Sequence, residues 1–399
     1  MLNREDFPLL ESDIIYLDNS ATSLKPKCVI DKMNDYYRHY SANAHRGDYD
    51  LSFRVDQEYE EARELVKEFI NAQELEEIVF TSGTTESLNM IINGFFGNLL
   101  EAGDEVLITT SEHASNVLPW FRLAKRLGIE VNYIPLDDNY YVTIDNVKKA
   151  ITPKTKVISL AGITNVIGDA RPIKEISKVA HDNEIFMVVD GAQMAPHLKV
   201  DVQDLDVDFF AFSGHKMCGP TGIGVLYGKR ELLDNLEPTN LGGGMNESFD
   251  NPDEVYLKPL PTRLEAGTQN IAGVIGLGEA IKYLQKIGME NIWAQEHALR
   301  KYLIDKLMRI KHIDIINLES DSGIVAFNVN KVFSQDVAYY LNKYNICVRA
   351  GDHCAKILKS SVGVTNTVRV SLYFYNSMEE IDNLVELLSD YDKIIKEMI

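Results

Sequence analysis

Up to Gly228 the apolar residues gather in runs of strand length: EIVFT at 77–81, EVLITT at 105–110, VNYIP at 131–135, KVISLAG at 156–162, IFMVVD at 185–190, VDFFAFS at 207–213 and IGVLYG at 223–228. Within the runs the apolar residues are continuous rather than alternating, so each run predicts a strand buried on both faces. Between the runs the period changes. In DLSFRVDQEYEEARELVKEFI, residues Val55, Tyr59, Ala62, Val66 and Phe69 are spaced four and three apart, which aligns them on one stripe of a helix. Strands alternating with helices predict a layered α/β fold with a mostly parallel sheet.

From about residue 270 the rhythm is different: two long helical patterns, then SGIVAFNV, another helix, ICVRA, TVRVSL and a final helix. That helix opens at SMEE, where Ser377 and Glu380 have the spacing of a capping box. A smaller C-terminal α+β domain is expected, formed by residues 1–19 and 266–399 against a large domain over 20–265. No repeat or low-complexity linker separates the two, so they are expected to pack closely.

The chain has 399 residues, 45% of them hydrophobic, enough for a substantial core. Sixty acidic residues against forty basic ones leave a formal charge of -20, which argues against a nucleic-acid partner and requires that any anionic ligand be held by local groups. Cys28, Cys218, Cys347 and Cys354 form no CxxC and no His/Cys cluster, so neither a disulfide framework nor a metal site is expected. The first residues contain no apolar leader, and no apolar run approaches the roughly 18 residues of a membrane span. A cytoplasmic protein without a membrane partner is the expectation.

The chemistry-bearing residues cluster at strand ends, where parallel α/β sheets bind ligands. In VVDGAQ, Asp190 ends an apolar run and Gln193 follows it; alone, such an aspartate reads equally well as a helix cap. The next run, in VDFFAFSGHKMCGPTGIG, brings Ser213, His215 and Lys216 to the same edge. A lysine desolvated near other cations is a weaker base than usual and can form an imine with an aldehyde cofactor, with an aspartate pairing the ring nitrogen; pyridoxal phosphate is the cofactor that needs both. TSGTTES supplies Thr84 and Thr85 at a helix start suited to a phosphate. SEHASN places His113 where an imidazole could lie against a ring, and TNVIG sets Asn165 in a turn; each of these alone is ordinary turn or hydrogen-bonding chemistry. A free cysteine such as Cys354 in RAGDHCAK is ordinarily a small buried hydrophobe.

The blocks YLDNSATS, AHRGDYDLS, TSGTTES, SEHASN, TNVIG, VDGAQ, FSGHKMCGPTGIGVLYGK, LEAGTQN, VRAGDHCA and VRVSLYFYN occur in the order found in SufS-type (group II) cysteine desulfurases, members of the class V aminotransferase family. The resemblance runs from Tyr16 to the final helix. It implies fold type I, the aspartate-aminotransferase-like fold, in a homodimer with active sites at the subunit interface. It also implies pyridoxal 5'-phosphate as cofactor and L-cysteine as substrate, with sulfur left as a persulfide on the enzyme and passed to an acceptor protein of SufU or SufE type for iron-sulfur cluster assembly.

Carried over by position, the resemblance makes Lys216 the imine-forming lysine, Asp190 the partner of the ring nitrogen, Gln193 that of the ring hydroxyl and His113 the stacking imidazole. Thr84, Thr85, Ser213 and His215 match phosphate-holding positions, with Thr268 reaching over from the other subunit. Arg369 matches the arginine that clamps the substrate carboxylate, and Asn165, His45 and Arg349 line the substrate site. Cys354 becomes the sulfur-accepting nucleophile, and the other three cysteines are structural. Arg369 comes only 15 positions after Cys354, which resembles the short-loop form of these enzymes. Two departures stand out. Asp352 occupies a place where relatives often have histidine, putting an anion beside the nucleophile, and Gln335 stands where relatives that exchange a zinc ligand with SufU have histidine. Selenocysteine lyases share the scaffold, other class V aminotransferases or epimerases would not need Cys354, and a silent sulfur-transfer scaffold would not need Lys216.

Overall fold

The computed structural model describes residues 4–44 and 47–398. Helices α1 (Lys27–His39) and α2 (Asp50–Ile70) lead into β1 (Ile78–Thr81) and α3 (Thr84–Met90). The chain then alternates through β2 (Glu105–Ile108), α4 (Leu118–Leu127), β3 (Glu130–Tyr133), α5 (Ile144–Ala150), β4 (Thr155–Ala161), α6 (Ile173–His181), β5 (Phe186–Asp190), β6 (Phe209–Ser213) and β7 (Gly224–Gly228). Val55, Tyr59, Ala62, Val66 and Phe69 are all buried along α2, as their spacing predicts.

The seven strands form one sheet in the order β1-β7-β6-β5-β4-β2-β3. Only β7 runs against its neighbours; the other pairings are parallel. Successive residues divide between two cores. Val189, Phe210, Val225 and Tyr227 pack on one face, while Val188, Phe209, Ala211 and Leu226 pack on the other. Continuous apolar runs arise because both faces are covered. Strand β3 departs from that expectation: it is an edge strand, and Glu130, Asn132 and Tyr133 are exposed because no strand pairs beyond them.

Helix α7 (Ile271–Ile287) packs on α1 and α2, and its apolar side chains join the core of the large sheet. A Cβ added at Gly276 would lie 2.6 Å from Pro220 and 2.9 Å from Met33, so glycine is what lets this helix approach so closely. After it, α8 (Met289–Leu307), β8 (Ile313–Ile315), β9 (Ile324–Val329), α9 (Ser334–Asn342), β10 (Arg349–Gly351), β11 (Thr367–Ser371), α10 (Met378–Ser389) and α11 (Tyr391–Met398) build a second layer. Its antiparallel sheet has the order β8-β9-β11-β10. The capping box at α10 is present, with the Glu380 amide donating to Ser377 Oγ and the Ser377 amide to Glu380 Oε2.

The N-terminal segment belongs partly to this second layer. Ile15–Tyr16 pairs in parallel with Ile346–Cys347, and Leu17 joins the core under the smaller sheet. From there residues 18–25 cross to the edge of the large sheet. Among the described residues no helix is long and apolar enough to cross a membrane.

Candidate active site

The carboxyl ends of the parallel strands open into a cleft of about 180 Å³. Asp190 is the last residue of β5 and Ser213 the last of β6, and the turn Gly214–Lys216 carries His215 and Lys216 onward. His113 follows β2 and Asn165 follows β4. Thr84 begins α3, where its amide donates to Ser213 Oγ at 2.8 Å, and the Thr85 and Ser115 hydroxyls are 2.7 Å apart. All of these predicted residues, with Gln193, line one cleft.

Its electrostatics are those of a desolvated, cation-rich site. Burial, reinforced by Arg369 and Arg349, lowers the Lys216 amine to about 8 against the pull of Asp190. Burial pushes the Asp190 carboxyl up to about 6, with Glu112 adding to the rise and Lys216 and Arg171 opposing it; the Ala192 amide also donates to it at 3.0 Å. His113 and His215 are both lowered to about 4, first by burial and then by Lys216. His113 Nδ1 accepts from the Ser115 amide at 3.2 Å, so the proton of this neutral ring sits on Nε2.

The second layer supplies the opposite wall. Arg349 on β10 and Arg369 on β11 are directly paired across their strands, and both line the cleft. Arg369 is only 2% exposed; it donates to the Asn165 carbonyl and to Asp18 Oδ1, each at 2.9 Å. Like charges opposed on adjacent strands are unfavourable on their own and suit an anionic ligand.

Cys354 follows β10 in a backbone conformation rare for a side-chain-bearing residue. Both His353 (φ 51°) and Cys354 (φ 60°) are left-handed. Three bonds hold them there: the Cys354 amide to Asp352 Oδ1 at 3.0 Å, Asn165 Nδ2 to the His353 carbonyl at 2.7 Å, and the Ala114 amide to the Cys354 carbonyl at 2.8 Å. The thiol is half-buried and within electrostatic reach of both Lys216 and Arg369. Asp352, read from sequence as an anion beside Cys354, spends a carboxylate oxygen on the amide of Cys354 itself.

Five buried atoms on residues that line the cleft have no hydrogen-bond partner among the described residues: Ser20 Oγ, Asn165 Oδ1, Gln193 Oε1, His353 Nδ1 and Arg369 Nε. Leaving buried polar groups unmade costs about 1–3 kcal/mol each, so such a cluster is arranged for a polar ligand. With an amine of lowered basicity, a carboxyl below it and hydroxyls at Thr84, Thr85 and Ser213, the donor set fits pyridoxal phosphate.

Thr268 is not at this cleft. It lines a separate cavity with Phe80, Thr81 and Asn270, and its hydroxyl lies 3.5 Å from Asn43 Nδ2. His45 lies outside the described residues. The sequence reading gives no role to Asp18 or Ser20; both sit in the YLDNSATS block, but only the fold brings them to Arg369 and Gln193.

The chain matches the Aminotransferase class-V family over residues 15–384. It is 44% identical over 385 residues to a probable cysteine desulfurase of Halalkalibacterium halodurans, covering 95% of each chain. It is 41% identical over 405 residues to a cysteine desulfurase of Haloferax volcanii, covering 96% of this chain and 95% of the other. Its fold superposes on the crystal structure of the cysteine desulfurase CsdA (S-sulfonic acid) from Escherichia coli with a TM-score of 0.93 at 36% identity, over 100% of both chains. That match bears out the fold type I expectation of a large sheet with a smaller C-terminal one. The chain belongs to the class V aminotransferase family, in which it is a cysteine desulfurase and a pyridoxal phosphate enzyme.

Proposed function

We propose that this enzyme transfers the sulfur of L-cysteine to Cys354 as a persulfide, releases L-alanine and hands the sulfur to an acceptor protein for iron-sulfur cluster assembly. The observation that carries the reading is the docking of the cysteine loop on the cleft, where Asn165 Nδ2 donates to the His353 carbonyl at 2.7 Å and the Ala114 amide to the Cys354 carbonyl at 2.8 Å. Pyridoxal phosphate, when bound, supplies an electron sink for the pair released at the substrate Cα. Lys216 would hold it covalently, Asp190 would pair its ring nitrogen, Gln193 its ring hydroxyl, His113 its face, and Thr84, Thr85, Ser213 and His215 its phosphate. Once freed by substrate, the Lys216 amine, lowered to about 8, is a competent proton carrier near neutral pH. Arg369 and Arg349 take the substrate carboxylate, with Asn165 beside them. The Cys354 thiolate then attacks the substrate sulfur: the S–S bond forms, the Cβ–S bond breaks, its electron pair stays on carbon, and protonation gives alanine.

We infer a homodimer in which Thr268 serves the partner's site, since its own chain leaves it away from the cleft. The division into a large unit over 20–265 and a small one of 1–19 and 266–399 gains support from the separate core of the second layer, with α7 as the element packed onto the large sheet. We propose a cytoplasmic placement, a reading supported by the four free cysteines and the acidic composition.

Between β10 and β11 the cysteine loop folds back, burying Ala355 and Leu358 against Val166, Ile167 and Ala326. A loop tied down in this way offers little outward reach, so turnover is expected to be slow alone and faster with an acceptor of SufU or SufE type. The test is one incubation with L-cysteine, measuring alanine and protein-bound persulfide for the wild type and Cys354→Ser, with and without acceptor. Alanine formation by Cys354→Ser at the wild-type rate would exclude sulfur transfer through this thiol.

A further inference from the structure

The five unpartnered atoms of the cleft divide by chemistry. Arg369 Nε is a donor and suits a carboxylate. Asn165 Oδ1 and Gln193 Oε1 are acceptors, because their amide nitrogens are committed to the His353 carbonyl at 2.7 Å and the Ser20 carbonyl at 2.8 Å. The remaining heteroaromatic atom, His353 Nδ1, is also an acceptor. His353 Nε2 lies 3.1 Å from the Thr367 carbonyl and 2.9 Å from Thr367 Oγ1. A carbonyl only accepts, so Nε2 carries the proton and Nδ1 keeps a bare, unpartnered lone pair on a ring that lines the cleft.

His353 is 4% exposed, so bulk water does not serve that lone pair. Its ring is fixed by Thr367 on β11, its carbonyl by Asn165, and the residue that follows it is Cys354. Burial, Arg369 and Arg349 push the imidazole down to about 3, which keeps it a hydrogen-bond acceptor rather than a proton carrier near neutral pH. L-Cysteine brings two kinds of donor. Its amino group is engaged where Lys216 acts, which leaves the thiol, the group that must meet Cys354.

We propose that His353 is the thiol-binding residue, its Nδ1 lone pair accepting the S–H of bound L-cysteine so that the sulfur faces Cys354 and a donor-bearing side chain is preferred over a methyl. This role rests on Cys354 as sulfur acceptor for its purpose, though not for its binding energy.

Two substitutions separate the ring's two nitrogens. His353→Gln keeps a donor at the ε position for Thr367 and loses the δ acceptor; His353→Asn keeps an acceptor at the δ position. With the holoenzyme, binding of L-cysteine and of L-alanine is followed through the cofactor absorbance by rapid mixing. The preference for cysteine over alanine is expected to fall by about tenfold in His353→Gln, the size of one lost hydrogen bond, and to stay within about threefold of wild type in His353→Asn. Equal weakening toward both amino acids, or no change in His353→Gln, would overturn the proposal. In the cofactor-free wild type, ring nitrogen-15 resonances are expected to show the neutral Nε2–H tautomer at pH 6; the opposite tautomer would also overturn it. If the preference collapses in His353→Gln while the wild type places no sulfur on Cys354, the thiol-binding role stands and the persulfide reading is the one that fails.

Discussion

Arg349 and Arg369 stand directly opposite each other on β10 and β11, and the buried guanidinium of Arg369 is tied to Asp18 at 2.9 Å. With Arg349 opposite it and Asp18 bonded to it, Arg369 sits in a cation-rich site whose charge a substrate carboxylate would balance on the proposed reading. Losing a charge-assisted contact costs about 1.5–3 kcal/mol. Arg369→Lys, which keeps the charge and loses the planar fork, is therefore expected to lower kcat/KM for L-cysteine by about ten- to a hundredfold. Steady-state kinetics check this, and an unchanged kcat/KM would remove Arg369 from the substrate site.

Acid should loosen the fold through His353. Its folded-state basicity is lowered from 6.5 to about 3, so between those values the unfolded chain binds more protons than the native one. Its contribution to stability is therefore fully present above about pH 6.5 and is lost as the pH falls. Asp190, raised from 3.8 to about 6, acts with the opposite sign between those values. Urea unfolding of the cofactor-free protein at pH 5 to 6.5 is expected to show a loss of stability that is shallower by about one proton in His353→Asn. In Asp190→Asn the same loss should be steeper, and parallel curves for all three proteins would contradict both assignments.

The Asp352 carboxylate braces the left-handed backbone at Cys354. Asp352→Asn retains an acceptor oxygen and should leave the loop as it is. Asp352→Ala removes the brace, and alkylation of Cys354 by iodoacetamide is expected to run several-fold faster than in Asp352→Asn. Identical alkylation rates would show that the bond does not hold the loop.

Beneath the cleft, Arg171 is completely buried with Glu112, and it also contacts Asp169 at 3.3 Å and the hydroxyls of Thr109 and Ser111 at 2.8 Å. Arg171→Met would strand buried carboxylates, a change that costs about 3–5 kcal/mol. A lower urea midpoint with an unchanged slope is the expected result; a variant as stable as wild type would mean that the carboxylates take up protons at little cost.

Much of this molecule is legible in its sequence because local patterns answer to local physics. Continuous apolar runs marked a sheet buried on both faces, and the four-three spacing of α2 marked its inner stripe. Strand β3 misled because an apolar run does not say whether a further strand lies beside it. Lys216 and Asp190 were readable because strand ends of a parallel sheet converge on one edge, which makes position along the chain a guide to position in space.

The sequence by itself determined the alternation of elements, the family and the residues that a strand end must present. The tertiary structure alone decided which nitrogen of His353 carries the proton, because Thr367 lies 14 residues away and meets it only through the β10–β11 pairing. It likewise decided that Asp18 holds Arg369 across 351 residues of chain. Hydrogen bonds are short-ranged and directional, so their partners are settled by packing, whereas the period of apolar residues is written along the chain itself.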